Sequence, residues 1–185
     1  MRVLLAIVTF TALGPFSCLA AQAENEKQTP PSKALVAISG ADSHVRKPTY
    51  ERISTPEDWY RVWARHLGTT KDDAYCSILE VDFDRCLVVA IFRGEETNIR
   101  GIRIDSLLES TDSIVIRFVR LGYQTAGSDN NKPPDRPYAF VIVPKTDKSI
   151  VLEQRIQAMG DQQQQWEECA QLAGRQAYGQ HEAKP

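Results

Sequence analysis

The run at residues 87–92 (LVVAIF) constrains the fold of this chain more than any other segment, because every one of its residues is apolar. Such a run has the length of a β-strand, and it lacks the polar alternation of a strand with one face in water. A strand of this kind must be covered by other structure on both faces. The sequence therefore predicts a central β-strand here.

Further apolar runs lie at intervals of about ten residues, the spacing of an antiparallel meander. We predict strands at residues 34–39, 78–83, 99–108, 114–121, 138–143 and 150–152. The polar stretches between these runs, at residues 40–48 and 124–137, are predicted to be loops because they are rich in turn-forming residues.

Residues 55–68 carry the clearest helix signals. Thr55 is a favourable N-cap, Pro56 falls at the first helical position, and Asp58 stands at capping-box spacing. Gly68 is a typical C-terminal stop. Apolar side chains recur at steps of three and four, which predicts one buried helix face: Trp59, Val62, Trp63, His66 and Leu67. We interpret this stripe as core packing rather than as a ligand platform, with His66 as a core histidine.

A second helix is predicted near the C-terminus, where residues 161–176 contain a glutamine run followed by Trp166, Ala170 and Leu172. The predicted fold class is therefore α+β. It comprises a single, mostly antiparallel sheet or sandwich-like meander, one N-terminal amphipathic helix and one C-terminal helix. We expect a single globular domain at residues 34–176 and a polar tail at 177–185.

The first 23 residues have the pattern of a bacterial signal peptide. Arg2 precedes an apolar stretch that is too short and too interrupted to span a membrane, and Ala21-Gln22-Ala23 fits a signal-peptidase site. We expect cleavage after Ala23, a polar linker at residues 24–33, and a secreted or periplasmic protein. Lipidation at Cys18 is the alternative, although Pro15 and Phe16 depart from the usual lipobox.

Charge argues against nucleic acid as a partner. The leader contains one charged residue, so the mature chain keeps 21 basic and 24 acidic residues and a net charge of −3. A nucleic-acid-binding domain is normally basic. We expect no nucleic acid and no transmembrane segment in the mature chain.

Three cysteines remain after cleavage, an odd number for an oxidising compartment: Cys76, Cys86 and Cys169. The simplest outcome is one disulfide bond and one free thiol. Cys86 begins an apolar run and could be an inert core thiol, which would leave Cys76 to pair with Cys169. A short bond between Cys76 and Cys86 competes with that pairing, and the spacing does not choose between them.

No catalytic or metal-binding signature is present. His44, His66 and His181 lie far apart in the sequence without ligand spacing, and no nucleophile elbow, Walker loop or dinucleotide fingerprint occurs. We therefore predict no enzyme activity, no catalytic residues, no metal and no cofactor. A hydrolase whose residues meet only in three dimensions is the alternative.

The segment at residues 94–101 is the candidate binding loop. It follows the most apolar strand, precedes another strand and has a glycine at each end, which predicts a hairpin tip. Loops on rigid sheets often bind partners, although an ordinary solvated turn has the same composition. The candidate binding residues are Glu95, Glu96, Thr97, Asn98 and Arg100.

The order of motifs resembles the C-terminal domain family of PrcB, named for a subunit of a secreted bacterial protease complex. The resemblance covers about residues 55–153: Trp59 and Trp63 on a helix, then 81–83 (VDF), 87–94 (LVVAIFRG) and 137–145 (PYAFVIVPK). It implies an exported accessory or protein-binding domain, with a protease or another envelope protein as partner, and no catalytic residues. The alternative function is a protease inhibitor acting through the 94–101 loop.

Overall fold

Two four-stranded sheets stack face to face, and one helix covers the outer face of the first sheet. The structure is a computed structural model that describes residues 36–70, 77–124, 133–156 and 165–174. The predicted leader, linker and polar tail lie outside these residues. The described elements are β1 (Val36–Gly40), β2 (Pro48–Ile53), α1 (Pro56–Leu67), β3 (Cys86–Arg93), β4 (Ile99–Glu109), β5 (Ser113–Gly122), β6 (Tyr138–Pro144), β7 (Ser149–Ile156) and β8 (Gln165–Leu172).

The first sheet has the strand order β1-β6-β3-β2, and all its neighbouring strands are antiparallel. The second sheet has the order β4-β5-β7-β8, in which β5 and β7 run parallel. Consecutive strands β3 and β4 lie in different sheets, so the chain crosses from one sheet to the other after Arg93.

Strand β3 is buried on both faces, as its composition predicts. Val88, Ala90 and Phe92 face the core beneath α1, and alternate residues Leu87, Val89 and Ile91 face the core between the sheets. Strand β6 divides its side chains in the same way. Each large apolar side chain fully buried in this manner stabilises the fold by about 1.5–3 kcal/mol.

Helix α1 confirms the predicted capping residues. The Thr55 hydroxyl accepts a hydrogen bond from the Asp58 backbone N–H at 3.2 Å, and Gly68 ends the helix in the left-handed conformation with φ of 67°. Trp59 is 2% exposed and Trp63 is 8% exposed, and both rings pack against Phe140 of β6. The aromatic stripe is core packing.

The predicted α+β class with two helices is wrong: the described residues form mostly strands, in two sheets with one helix, and the C-terminal segment forms β8 rather than a helix. Ala170 and Leu172, two residues apart, both pack against the core between the sheets. A spacing of two places both side chains on the same face of a strand, and this strand pairs with the edge of β7. Pairing to an existing sheet has therefore overridden the helix-favouring composition of this segment.

Two further differences concern the meander. Residues 78–83, predicted as a strand, run without regular structure into a turn at residues 83–85. Ile78, Leu79 and Val81 all pack against the helix-side core instead of alternating between two faces. Asp82 stabilises this turn: its carboxylate accepts from the Asp84 N–H at 3.0 Å. Strand β2 was not predicted.

Arg52 of β2 joins three segments that are distant in sequence. Its guanidinium donates to the backbone carbonyl of Lys148 at 2.8 Å and to that of Ala173 at 3.3 Å, and also to the carbonyl of Thr146. The side chain therefore holds the β6–β7 turn and the end of β8 against the first sheet. Hydrogen bonds to a charged donor are stronger than neutral ones.

Replacing Arg52 with alanine should lower the free energy of unfolding by about 2–3 kcal/mol, because the substitution leaves partly buried carbonyls without their donor. Urea denaturation of the purified protein measures this change. The matched control is Arg61→Ala, which removes an exposed ion pair with Asp58 and should cost less than about 1 kcal/mol. Equal losses in the two variants would contradict the role given to Arg52.

His66 lies inside the helix-side core and is 4% exposed. Its ring contacts those of Trp63, Tyr138 and Phe140, at centroid distances of 5.3, 4.1 and 5.3 Å. Burial lowers the pKa of His66 from 6.5 to about 4; the charge of Asp42 acts in the opposite direction and that of His44 in the same direction. The imidazole is therefore neutral at pH 7.

Acid should destabilise the protein through His66. Between pH 6.5 and about 4 the unfolded chain takes up a proton at this residue and the folded chain does not. The free energy of unfolding therefore falls as the pH falls, by up to about 3 kcal/mol from this group. His66→Phe should remove that part of the pH dependence in urea titrations at pH 7, 5.5 and 4, whereas His44→Gln should retain it.

Candidate functional site

The predicted binding loop is not a hairpin tip, because the strands that it joins belong to different sheets. Residues 94–98, here called the crossover segment, lead from the end of β3 to the start of β4. The segment passes the residues that precede β6, where Glu96 and Asp135 form an isolated β-bridge. It is therefore part of the sandwich end rather than a projection from it.

Backbone hydrogen bonds hold the crossover segment in place. The Glu95 N–H donates to the Arg46 carbonyl at 3.1 Å, and the Glu96 N–H donates to the Asp135 carbonyl at 2.8 Å. Asn98 has a φ of 59°, a left-handed conformation that asparagine tolerates, and its carbonyl accepts from the Tyr123 N–H at 3.0 Å. The path of the segment is thus set by partners on both sheets.

The Asp135 carboxylate fixes the start of β4. Its Oδ2 accepts from the Ile99 N–H at 2.9 Å and from the Tyr123 hydroxyl at 3.0 Å. This one carboxylate oxygen connects the chain before β6, the first residue of β4 and the chain after β5. These hydrogen bonds therefore fix the positions of the three segments relative to one another.

Ion pairs close the end of the sandwich beneath the crossover segment. Glu96 Oε1 lies 3.1 Å from Arg93 Nε, and Glu96 Oε2 lies 3.6 Å from Arg120 Nη1. Arg93 also donates to the Tyr50 hydroxyl at 2.6 Å. Because the Glu96 side chain is only 13% exposed, its charge needs these cations for compensation.

The same contacts shift the pKa values of Arg93 and Tyr50. Burial alone would lower the pKa of Arg93, but its interactions with Tyr50 and Glu96 outweigh burial, and the pKa is raised. Burial raises the pKa of Tyr50, and the charge of Arg93 opposes that shift. Arg93 is therefore a fixed cation, and Tyr50 is a neutral hydroxyl at physiological pH.

An open groove of about 700 Å³ lies along the crossover segment. We call it the charged groove, and its main lining residues are Glu96, Thr97, Ile99, Arg120, Tyr123 and Arg155. Its size is within the range of known ligand sites. One wall is the crossover segment with the first residue of β4, and the rest is formed by the end of β5, the residues directly after it and the end of β7.

The predicted binding residues divide into two groups. Glu95, Thr97 and Arg100 are exposed, whereas Glu96 and Asn98 are half-buried. Glu96 and Thr97 line the charged groove, and Glu95 instead lies near Arg46 and Arg136, at 3.7 and 3.4 Å.

The other members of the site were not predicted from the sequence: Tyr50, Arg93, Arg120, Tyr123, Asp135 and Arg155. Arg93 and Arg155 lie at or next to strand ends, and Tyr123 and Asp135 lie in loops. Only Arg93, which directly follows the apolar run of β3, carried a signal. A charged residue at the end of a fully buried strand must find a partner nearby.

The cysteine predictions are tested only in part. Cys86 and Cys169 form no disulfide bond with each other, and Cys76 lies outside the described residues, so its pairings stay predictions. Cys169 of β8 lies beside Tyr50, and burial raises the pKa of its thiol while the charge of Arg93 opposes the shift. The thiol is therefore protonated and is a poor nucleophile at neutral pH.

Within residues 36–70, 77–124, 133–156 and 165–174, no three histidine, cysteine or carboxylate side chains gather as a metal site. In the same ranges, no helix has the length and apolar character needed to cross a membrane. No family model, curated protein or solved structure matches this chain. The resemblance to PrcB therefore stays a prediction.

Gly94 should be irreplaceable in the crossover segment. Its φ is 75°, and an added Cβ would lie 2.7 Å from the Arg46 carbonyl oxygen. Gly94→Ala should therefore cost about 2 kcal/mol or more of the free energy of unfolding. The control is Gly122→Ala, whose Cβ would make only ordinary contacts from 3.7 Å. Urea denaturation compares the two, and a tolerated alanine at residue 94 would refute the described path.

Proposed function

We propose that this protein is an exported, non-catalytic accessory domain that binds another protein through the charged groove. The observation that carries the proposal is the crossover segment, which forms one wall of the groove and is held by the carbonyls of Arg46 and Asp135, while the carboxylate of Asp135 holds Ile99 directly after it. A wall with its conformation set before binding loses little entropy when a partner docks.

The polar character of the groove favours a protein surface as its occupant. Protein interfaces outside permanent complexes are about as polar as the rest of the surface, and arginine and tyrosine are enriched in them. Arg120, Arg155 and Tyr123 supply these residue types along the groove.

We propose export and association with a protease on the basis of the sequence. Residues 1–23 have the pattern of a signal peptide, and the order of motifs over residues 55–153 resembles the PrcB family. Both features point to a partner in the bacterial envelope or outside the cell. A secreted protease is the first candidate because the resembled family takes its name from a protease complex.

The second hypothesis, protease inhibition through residues 94–101, has less support. An inhibitory loop must enter an active-site cleft with its backbone groups available. The N–H groups of Glu95, Glu96 and Ile99 already donate to partners within the protein. The segment lies along the groove instead of standing away from the sheets.

Site-specific photo-crosslinking in the native cell tests the proposal. A photo-reactive phenylalanine at Thr97, which is exposed on the groove wall, should crosslink to one reproducible protein. The same residue at Asp112, exposed in the β4–β5 turn, is the control and should give no such product. Equal crosslinking from both positions, or none from Thr97, would contradict a partner at the groove.

Protease assays on the same preparations distinguish the two hypotheses. If the crosslinked partner is a protease, the accessory function predicts that this protease stays active when an excess of the accessory protein is added. Complete inhibition that is lost on replacing Thr97 with arginine would instead support the inhibitor.

A further inference from the structure

We propose that the charged groove recognises an acidic segment of the partner polypeptide, with several carboxylates along an extended chain. This inference rests on the proposed function and adds the chemistry of the partner. It depends on three arginines: Arg120 and Arg155, which line the groove, and Arg103, the cross-strand neighbour of the lining residue Val119.

Two of these arginines lie on one face of the second sheet. Arg103 of β4 is the cross-strand partner of Val119, and Val119 and Arg155 both line the groove. The register of β5 and β7 pairs Phe118 with Gln154, so the next residues, Val119 and Arg155, are also neighbours. Directly opposed residues share a face of a sheet. Arg103 and Arg155 therefore stand on either side of Val119.

The third arginine approaches the groove from the sandwich end. Arg120 is 39% exposed, and its contact with Glu96 is a long ion pair at 3.6 Å. Glu96 also pairs with Arg93, so one carboxylate is shared between two guanidinium groups. Arg120 consequently keeps hydrogen-bond donors for a second carboxylate.

The local charge of the groove opposes that of the whole chain. Neither Arg103 nor Arg155 has an ion-pair partner among the described residues. Arg120 and Arg155 line the groove together with Glu96, and Arg103 adds a third positive charge beside Val119, whereas the chain as a whole carries −2. The local positive charge attracts a ligand with nearby carboxylates, and the net negative charge of the rest of the protein repels long polyanions.

The spacing of the arginines favours a polypeptide over a small carboxylic acid. Arg103 and Arg155 are two strands apart, which places their backbones about 10 Å from each other. An extended peptide covers about 3.3 Å per residue. Carboxylates a few residues apart on such a peptide match this backbone spacing, which exceeds the separation of the carboxylates in a small acid such as citrate.

Fluorescence anisotropy with a fluorescein-labelled hexaglutamate peptide tests this inference on the full chain. Binding should weaken at least tenfold in Arg155→Gln and in Arg120→Gln. Arg61→Gln, which removes the same charge on the far side of the first sheet, should stay within twofold of the wild type. Arg103→Gln is the third arginine variant, and neither it nor Arg155→Gln removes a described ion pair, so both should fold normally.

Four outcomes would overturn the inference. They are no binding of hexaglutamate, an equal loss in Arg61→Gln, equal binding of labelled hexalysine, and displacement by citrate or heparin at lower concentration than by unlabelled hexaglutamate. The last outcome would assign the groove to small acids or sulfated polysaccharides. A specific crosslink from Thr97 combined with no hexaglutamate binding would leave the protein-binding function standing and reject only the acidic partner.

Discussion

The burial of β3 and β6 on both faces is the constraint on which the rest of this structure depends. Two adjacent strands without a polar face can be stable only between two covering layers. Helix α1 supplies one layer through Trp59 and Trp63, and the second sheet supplies the other. The chain must therefore cross from the first sheet to the second, and it does so directly after β3.

That crossing explains why polar groups collect at one end of the sandwich. The apolar side chains of β3 end at Phe92, and Arg93 follows where the space between the sheets opens to water. Glu96 and Tyr50 compensate its half-buried charge, and Asp135 positions the chain beside it. The contacts that stabilise the crossing also set the wall of the charged groove, so the same residues serve the fold and the proposed binding surface.

Much of the fold could be predicted from local patterns, and most of the groove could not. The central strand and the caps of α1 follow from short-range signals, since burial and capping depend on neighbouring residues. The C-terminal segment was predicted as a helix because its composition favours one, yet its pairing partner β7 is visible only in three dimensions. Of the groove residues, Glu96 and Thr97 were predicted as binding residues. Arg120, Tyr123 and Arg155 were not, because no local pattern separates them from other surface residues.

The amino-acid sequence by itself determined that this chain has a doubly covered strand and a tryptophan-bearing helix, because apolar periodicity and capping chemistry act over a few residues. Tertiary structure alone decided that the strands divide into two sheets and that β5 pairs with β7 in parallel. It also decided that residues 94–98 cross between the sheets instead of turning back. These outcomes depend on which distant strand edges meet, and pairing energy between distant residues leaves no signature in the local sequence.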